Sequence, residues 1–308
     1  DISAEPKIAL WVALNVAEGP SRVIRGPHLN AITLLAFDDD KGKTLVSLGA
    51  DDRHMVAVHD VTSGYLLFMS STTCRKPFDV AFGNFGSEIV IVGIKYVLFF
   101  TFIANHAATR HASASFGRIG RLGTIQSYLS CAYLPNATCV VGTADGHLYV
   151  FEGSSRELAK SIKAHDGFIY SMDAPWHRAE QVRAIVLVTG ARDGDIKLWN
   201  GALEIISKFD NRGAGPIRSV FTSADSSRIL VGSQAAAQLR EFRTSDGVPT
   251  SVALAGGGAA AGELWGLAPH PVEKCVATAS DDGALAVWNI EAPDVRDARR
   301  YLTMLAGA

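Results

Sequence analysis

Four aspartates recur at the same place in a repeated pattern, and carboxylates are the first groups to consider for chemistry. They are Asp52 in GADDRH, Asp145 in TADGHL, Asp193 in ARDGDI and Asp282 in SDDGAL. A carboxylate can act as a general acid or base, or as a metal ligand. An Asp in a turn can also accept hydrogen bonds from backbone N–H groups, and a following Gly supplies a positive φ. Because the same placement in four segments does not build one reaction centre, we predict that these aspartates form turns.

Histidines and catalytic motifs offer little else. His106 and His111 form an HxxxxH pair, but the nearby sequence has no acid or cysteine to complete a tetrahedral zinc site. The chain contains no GxSxG nucleophile elbow, no GxxxxGKS/T phosphate loop and no HExxH zinc helix. The sequence therefore predicts a protein that is not an enzyme, with no catalytic residue, no metal and no cofactor.

Five cations in predicted loops are the candidates for contacting a partner. The glycine-rich segment GRIGRLG carries Arg118 and Arg121, which either lie in a flexible loop or contact phosphate or an acidic peptide. Arg53, Lys95 and Arg192 lie beside the predicted turns and are either solvated loop charges or partner contacts. Loops on a rigid scaffold are the usual place for such contacts.

Composition limits the possible partners and compartments. The 308 residues are 48% hydrophobic and 19% charged, which is enough apolar material for a globular core. The net charge is −2, so the chain lacks the basic excess that binds nucleic acid. Four cysteines without a CxxC pair favour a reducing compartment. The most apolar stretch, 89–104, is interrupted by Gly93 and Lys95 and is shorter than the roughly 20 residues of a membrane span, so we expect no membrane partner.

Seven apolar runs end in an aromatic residue or histidine at nearly constant spacing. The mean interval is about 46 residues, close to the period of a four-stranded propeller blade. The final residues of these runs are Trp11, His59, Phe100, Phe151, Trp199, Phe242 and Trp288. Within each period an apolar run, a second run ending in a small residue, a turn, the aromatic-ended run and a weaker fourth run follow in order. The repeat predicts four strands per period.

The fold prediction is an all-β propeller in a single domain over residues 1–308. Many of the runs are apolar at almost every position, as expected for sheets covered on both faces. Residues 27–308 supply six full four-stranded blades, and residues 1–26 supply only the third and fourth strands of a partial seventh blade. Unpaired strand edges are costly, so we expect the missing strands elsewhere in a larger protein, most simply upstream of Asp1.

Two segments resemble the WD40 family. TASDDGALAVWN (278–289) and TGARDGDIKLWN (189–200) match its Ser/Thr, Asp and Trp-Asp ending, with Asn in place of the final Asp. AHD (164–166) matches the family's Gly-His element, with Ala for Gly. The resemblance implies a hydrogen-bonded structural network within a blade. Its members would be His165, Thr189, Asp193 and Trp199, with Asp52, Asp145, Asp282 and Trp288 at corresponding positions of other blades.

A narrower set of motifs resembles the echinoderm microtubule-associated protein-like family, in its first propeller of a tandem pair. The motifs are HDGFIYSM, GPIRSV, GELWGLAPHP and VGIKYVLFF, and they occur in order along essentially the whole chain. The hydrophobic motif and the second propeller of that family are absent from this sequence. The resemblance implies a microtubule-associated or axonemal component with tubulin as a partner.

The functional prediction is a non-catalytic scaffold that docks on tubulin or on other cytoskeletal or axonemal proteins. The family resemblance implies the cytoplasm and cytoskeleton, or the axoneme of a cilium or flagellum, with self-association only through segments outside this chain. The charge count gives no support for attraction to acidic tubulin tails. The alternative is a generic WD40 adaptor, such as a substrate receptor of a ubiquitin ligase or a component of a transport coat.

Overall fold

The computed structural model describes most of the chain up to residue 250 and separate strands beyond it. The described residues are 5–10, 20–38, 42–72, 74–83, 86–103, 111–153, 155–175, 184–211, 213, 215–223, 225–234, 238–250, 254–255, 264–269, 275–280, 285–289 and 301–303. For residues 103, 111 and 238, and for all residues after 250, the backbone alone is described. Predictions for Trp11, His106 and Asp282, and for the side chains of His111 and Trp288, lie outside this description.

The chain divides into two compact units, Asp1–Lys163 and Ala164–Ala308. The first unit contains β1 (Lys7–Leu10), β2 (Arg22–Arg25), β3 (Ile32–Phe37), β4 (Thr44–Gly49), β5 (Met55–Asp60), β6 (Leu66–Ser71), β7 (Pro77–Gly83), β8 (Glu88–Gly93), β9 (Tyr96–Ile103), β10 (His111–Phe116), β11 (Tyr128–Tyr133), β12 (Cys139–Thr143), β13 (His147–Phe151) and β14 (Leu158–Lys163).

The second unit contains the remaining twelve described strands. These are β15 (Ile169–Asp173), β16 (Leu187–Ala191), β17 (Asp195–Trp199), β18 (Ile205–Asp210), β19 (Ile217–Thr222), β20 (Arg228–Ser233), β21 (Gln238–Arg243), β22 (Leu254–Ala255), β23 (Leu264–Pro269), β24 (Cys275–Ser280), β25 (Leu285–Asn289) and β26 (Tyr301–Thr303).

The described strands form antiparallel sheets in chain order. β1 and β2 make a two-stranded sheet, and β3–β6, β7–β10, β11–β14, β15–β18, β19–β22 and β23–β26 each make a four-stranded sheet. The prediction of an all-β fold with four strands per period is confirmed. The count of six full blades and one partial blade remains a prediction. Within the described part of the chain, no helix is long and apolar enough to cross a bilayer.

The second strand is the most buried element of the sheets that begin at β3, β7, β11 and β15. All six residues of β4 and of β8 are buried, which explains why these runs are apolar at successive positions instead of alternating. In β8 the two faces serve different neighbours. Ile89 and Ile91 pack with the β3–β6 sheet, whereas Val90 and Val92 pack with the β11–β14 sheet. Each such buried side chain contributes roughly 1.5–3 kcal/mol of transfer free energy.

Hydrogen bonds from first strands also join neighbouring sheets. The first strand of every four-stranded sheet has a register shift against the second strand near its start. The residue just after the shift can then turn its side chain toward the next sheet. In β7, Asp79 Oδ2 accepts the N–H of Cys131 at 2.9 Å, and in β15, Ser171 Oγ accepts the N–H of Val220 at 3.0 Å. Sheets in the same unit are therefore linked by polar as well as apolar contacts.

Candidate protein-interaction site

Four side chains of the β15–β18 sheet form a hydrogen-bonded chain, here called the His165 network. His165 Nε2 lies 2.7 Å from Thr189 Oγ1, and Trp199 Nε1 donates to the same oxygen at 3.0 Å. His165 Nδ1 lies 3.1 Å from both carboxylate oxygens of Asp193. His165, Thr189 and Trp199 are buried. The network runs from the core of the sheet to the β16–β17 turn.

The donors and acceptors of the His165 network fix its protons. Trp199 Nε1 can only donate, so Thr189 Oγ1 accepts from it and its own hydroxyl proton is free for His165 Nε2. The proton of the neutral imidazole then lies on Nδ1, where it faces the carboxylate of Asp193. This arrangement satisfies every polar atom with a single tautomer, so His165 acts as a structural connector.

The carboxylate of Asp193 is occupied by the turn that it closes. It accepts the N–H groups of Asp166 at 2.9 Å and Asp195 at 3.1 Å. Burial alone would raise the pKa of Asp193, but the hydrogen bonds from His165 and from these N–H groups hold it well below its usual range.

One group of ligand-type atoms occurs at this turn among the described residues. His165, Asp193 and Asp195 each offer one such atom, all within 4.8 Å of one another. Asp195 Oδ2, however, pairs with Lys208 Nζ at 2.7 Å, and the other two residues bond each other. Because each group already has a protein partner, the cluster forms a hydrogen-bonded turn and does not present free metal ligands.

The β3–β6 sheet contains an incomplete copy of the His165 network. His28 Nε2 lies 2.7 Å from Ser47 Oγ, and the pairing of β4 with β5 puts His59 at the position of Trp199. Asp51 Oδ1 accepts two backbone N–H groups of the β4–β5 turn, at 3.1 and 3.3 Å. His28 Nδ1, Asp51 Oδ2 and both ring nitrogens of His59 have no hydrogen-bond partner among the described residues. The hydrogen-bonded chain is thus interrupted in this sheet.

The turn aspartate of the β3–β6 sheet is Asp51, not the predicted Asp52. Asp51 is 9% exposed and accepts the turn hydrogen bonds, whereas Asp52 is exposed. Asp51 follows Gly49 by two residues, as Asp193 follows Ala191, and Gly49 and Ala191 share the same register position. The prediction is off by one residue, because two adjacent aspartates both fit the motif and only strand register distinguishes them.

His59 is a fully buried imidazole without a polar partner in the described structure. Burial, together with the neighbouring His28, lowers the pKa of His59 to about 4. The space around this cluster is tight, since a Cβ at Gly49 would lie 2.6 Å from Asp51 Oδ2 and 2.7 Å from His28 Nδ1. The sequence signal for this copy was the position of His28, four residues before β3, as His165 lies four residues before β15.

Asp145 belongs to the β12–β13 turn. Its Oδ1 lies 2.6 Å from Thr143 Oγ1, and its N–H donates to Gln126 Oε1 at 2.9 Å. Burial by itself would raise the pKa of Asp145, but hydrogen bonds from Thr143, Gln126 and His147 lower it. The residue lies in the turn and is engaged there, as its motif predicts for a turn-forming acid.

A buried charged cluster between the β7–β10 and β11–β14 sheets was missed by the sequence analysis. Arg156 forms a two-nitrogen ion pair with the carboxylate of Glu88, and the hydroxyl of Tyr133 donates to the same carboxylate. Arg156 Nη2 also donates to Thr101 Oγ1 at 3.0 Å, and its guanidinium lies 4.5 Å from the Phe99 ring centre. Glu88 and Arg156 are 68 residues apart and belong to no common motif, so no local signal reveals them.

Of the two predicted contact residues in the β10–β11 connection, Arg118 lies along a sheet and Arg121 lies in a turn. Arg118 Nη2 pairs with Glu157 at 2.8 Å, and the backbones of the two residues form a parallel bridge. Arg121 is exposed in the same segment. Arg118 therefore helps to hold this segment against β14.

The other three predicted contact residues lie at turns between second and third strands. Arg53 and Lys95 are exposed in the first unit, and Arg192 is exposed in the second unit, with its guanidinium 5.5 Å from the Phe168 ring centre. Lys95 has a φ of 66°, a conformation that Asn or Gly usually occupies. Arg53, Lys95 and Arg192 are therefore exposed cations in the turns that connect second and third strands.

Repeated four-stranded antiparallel sheets and the His–Thr–Asp–Trp network are features of WD40 repeats. The family model for the WD domain, G-beta repeat, matches residues 156–200 and 256–289, so the chain contains WD40 repeats. The first match includes the His165 network and the second includes the TASDDGALAVWN motif.

Three relatives are similar to most or half of the chain. Echinoderm microtubule-associated protein-like 4 of Xenopus laevis is 23% identical over 303 residues, which is 92% of this chain and 30% of the relative. The Mus musculus protein of the same name is 24% identical over 81% of this chain and 25% of the relative. Echinoderm microtubule-associated protein-like 2 of Homo sapiens is 28% identical over 53% of this chain and 23% of the relative. The chain thus spans less than a third of each relative, and the resemblance stated from the motifs is confirmed.

Proposed function

We propose that this chain is a non-catalytic docking module that binds microtubules or proteins attached to them. The observation that carries the proposal is the alignment of 92% of the chain with a protein named as microtubule-associated. WD40 repeats and these relatives support a protein-binding scaffold. The finer proposal is that tubulin itself is the partner.

The side chains that could do chemistry support a scaffold over an enzyme. Asp51, Asp145 and Asp193 are bonded to the turns they occupy, and His165 is bonded on both ring nitrogens. Glu88 is bonded to Arg156. An enzyme needs polar groups that converge on a substrate, whereas these groups converge on one another or on backbone.

Rigid presentation of loops supports docking. Side-chain hydrogen bonds and apolar clusters join consecutive sheets within each unit. Loops held on such a framework lose little conformational entropy on binding. A regular lattice then allows many weakly bound copies or domains to act together. We accordingly propose that the protein is located on the cytoskeleton. The more specific proposal is that it is located in the axoneme of a cilium or flagellum.

Co-sedimentation with polymerised tubulin tests the proposal. The chain should enter the pellet with polymer in a saturable manner, more strongly at low salt, and should stay in the supernatant without polymer. Circular dichroism of the input must show a folded β protein. A folded chain that never pellets with polymer at any salt concentration would contradict direct docking and favour the adaptor alternative.

A further inference from the structure

Four exposed cations, here called the basic rim, lie at the turn ends of the first unit. Its members are Arg53, Arg75, Lys76 and Lys95. Arg53 is in the β4–β5 turn, Arg75 and Lys76 precede β7, and Lys95 is in the β8–β9 turn. The sequence analysis named Arg53 and Lys95 separately and did not name the two cations between them.

Hydrogen bonds show that the backbone segments carrying these cations are neighbours in space. At one end of the β6–β7 connection, the N–H of Thr72 donates to His54 O and its Oγ1 donates to Arg53 O, both at 3.4 Å. At the other end, the N–H of Ile94 donates to Lys76 O at 3.2 Å. The connection therefore joins the turn that carries Arg53 to the turn that carries Lys95.

The basic rim has almost no compensating negative charge. Residues 53–95 contain the four rim cations and three acids, Asp60, Asp79 and Glu88. Asp60 lies at the end of β5 away from the β4–β5 turn and accepts the N–H of Ser63. Asp79 accepts the N–H of Cys131, and Glu88 is buried and paired with Arg156. Among the described residues, Asp52 is the exposed acid that adjoins a rim cation, Arg53, in the chain. No described residue forms an ion pair with any of the four rim cations.

The backbone under the basic rim is closely packed. Lys95 occupies a two-residue turn with a φ of 66°, although Asn or Gly suits that position better. A Cβ at Gly93 would lie 2.5 Å from Lys76 O and 2.6 Å from the Tyr96 ring, so these three residues are in close contact. The Tyr96 hydroxyl is buried there without a hydrogen-bond partner in the described structure.

We propose that the basic rim binds an acidic polypeptide segment, so that carboxylates of the partner supply the negative charge the rim lacks. This inference rests on the proposed docking function and specifies its chemistry. Four cations on a chain with a net charge of −2 supply little of the counterion release that favours nucleic-acid binding. The whole-chain charge conceals this local surface.

A labelled poly-glutamate peptide is the direct probe, measured by fluorescence anisotropy across a salt series. The test variant is Arg75→Gln/Lys76→Gln/Lys95→Asn, in which Asn tolerates the positive φ. The control variant Lys43→Gln/Lys160→Gln/Arg243→Gln removes the same charge from exposed positions outside the rim. We expect roughly tenfold or greater loss of affinity in the test variant and less than about twofold in the control.

Equal peptide affinity of the parent and test variant would overturn the inference. If the test variant does not fold, Arg75→Gln alone serves instead, because its side chain is exposed and should still weaken binding by about two- to fivefold. Equal or tighter rim-dependent binding of an oligonucleotide or of anionic lipid vesicles would overturn the assignment to a polypeptide. Co-sedimentation of the parent and the test variant with polymerised tubulin separates a failure of this inference from a failure of the proposed docking function. If both proteins pellet equally and the rim does not affect peptide binding, only this inference is contradicted. If the parent itself does not pellet, the proposed docking is contradicted.

Discussion

Replacing His59 by leucine should make the protein less sensitive to acid. The unfolded chain binds a proton on this imidazole near pH 6.5, but the folded protein does so only near pH 4. Protons therefore favour the unfolded state, and stability is lost as the pH falls below about 6.5, with the loss complete below about 4. The difference between the two pKa values lowers the free energy of unfolding by about 3 kcal/mol once the pH is below 4. At pH 5 the free energy of unfolding is lowered by about 2 kcal/mol. His59→Leu should abolish that loss.

The comparison must be made between variant and parent, because Asp79 acts in the opposite direction. Burial raises the pKa of Asp79 to about 6, against 3.8 for an ordinary carboxyl. The folded state then binds the proton first, so Asp79 adds stability as the pH falls from about 6 to about 4. Subtracting the free energy of unfolding of the parent from that of His59→Leu cancels the Asp79 contribution and leaves that of His59.

Urea unfolding at pH 7.5 and at pH 5 supplies the measurement. At pH 7.5 the leucine variant should be at least as stable as the parent, since two unpartnered buried nitrogens are removed. Its advantage should grow by about 2 kcal/mol at pH 5. The matched control is Phe100→Leu, at the same register position of the β7–β10 sheet, whose effect should not change with pH. An advantage of His59→Leu that is the same at both pH values would refute the reasoning.

Three further substitutions test the networks and the close packing by urea unfolding at neutral pH. Thr189→Ala leaves His165 and Trp199 without their shared partner and should cost about 2–4 kcal/mol, and a loss below about 0.5 kcal/mol would contradict the network. Arg156→Met should lower the free energy of unfolding by about 3–5 kcal/mol. Arg156→Met combined with Glu88→Gln should lower it by less than the sum of the two single changes, because the two residues form one ion pair. Strict additivity would show that the two residues are not coupled. Gly49→Ala should cost about 1–3 kcal/mol because its methyl group meets Asp51 and His28, whereas Gly201→Ala, with open space around it, should be nearly neutral; equal effects would rule out the close packing.

Local repetition explains how much of the fold and site the sequence could predict. The apolar runs and turn acids repeat every four strands, so the all-β class and the residues of the His165 network follow from spacing and resemblance. Asp51 and Asp52 mark the limit of such reasoning, because adjacent identical residues differ only in the register that the strands adopt.

Features that depend on distant residues were not accessible in this way. Glu88 and Arg156 meet only because two sheets pack face to face. The basic rim likewise joins cations from two turns and a connection, and a whole-chain charge of −2 averages it away. The repeat pattern also identified His59 as the final residue of an apolar run, but it did not reveal that both ring nitrogens lack hydrogen-bond partners among the described residues.

The six successive buried residues of β8 create a risk of strand slippage, and Glu88 removes it. Side chains on both faces of β8 are apolar after Glu88, so a shift of one residue would still bury hydrophobic groups on each side. The correct pairing sets Glu88 opposite Thr101 and within reach of Arg156. A shifted pairing would place the carboxylate opposite Phe100, away from these polar groups, at the full desolvation cost. The ion pair therefore selects one alignment of strands that hydrophobicity alone would leave ambiguous.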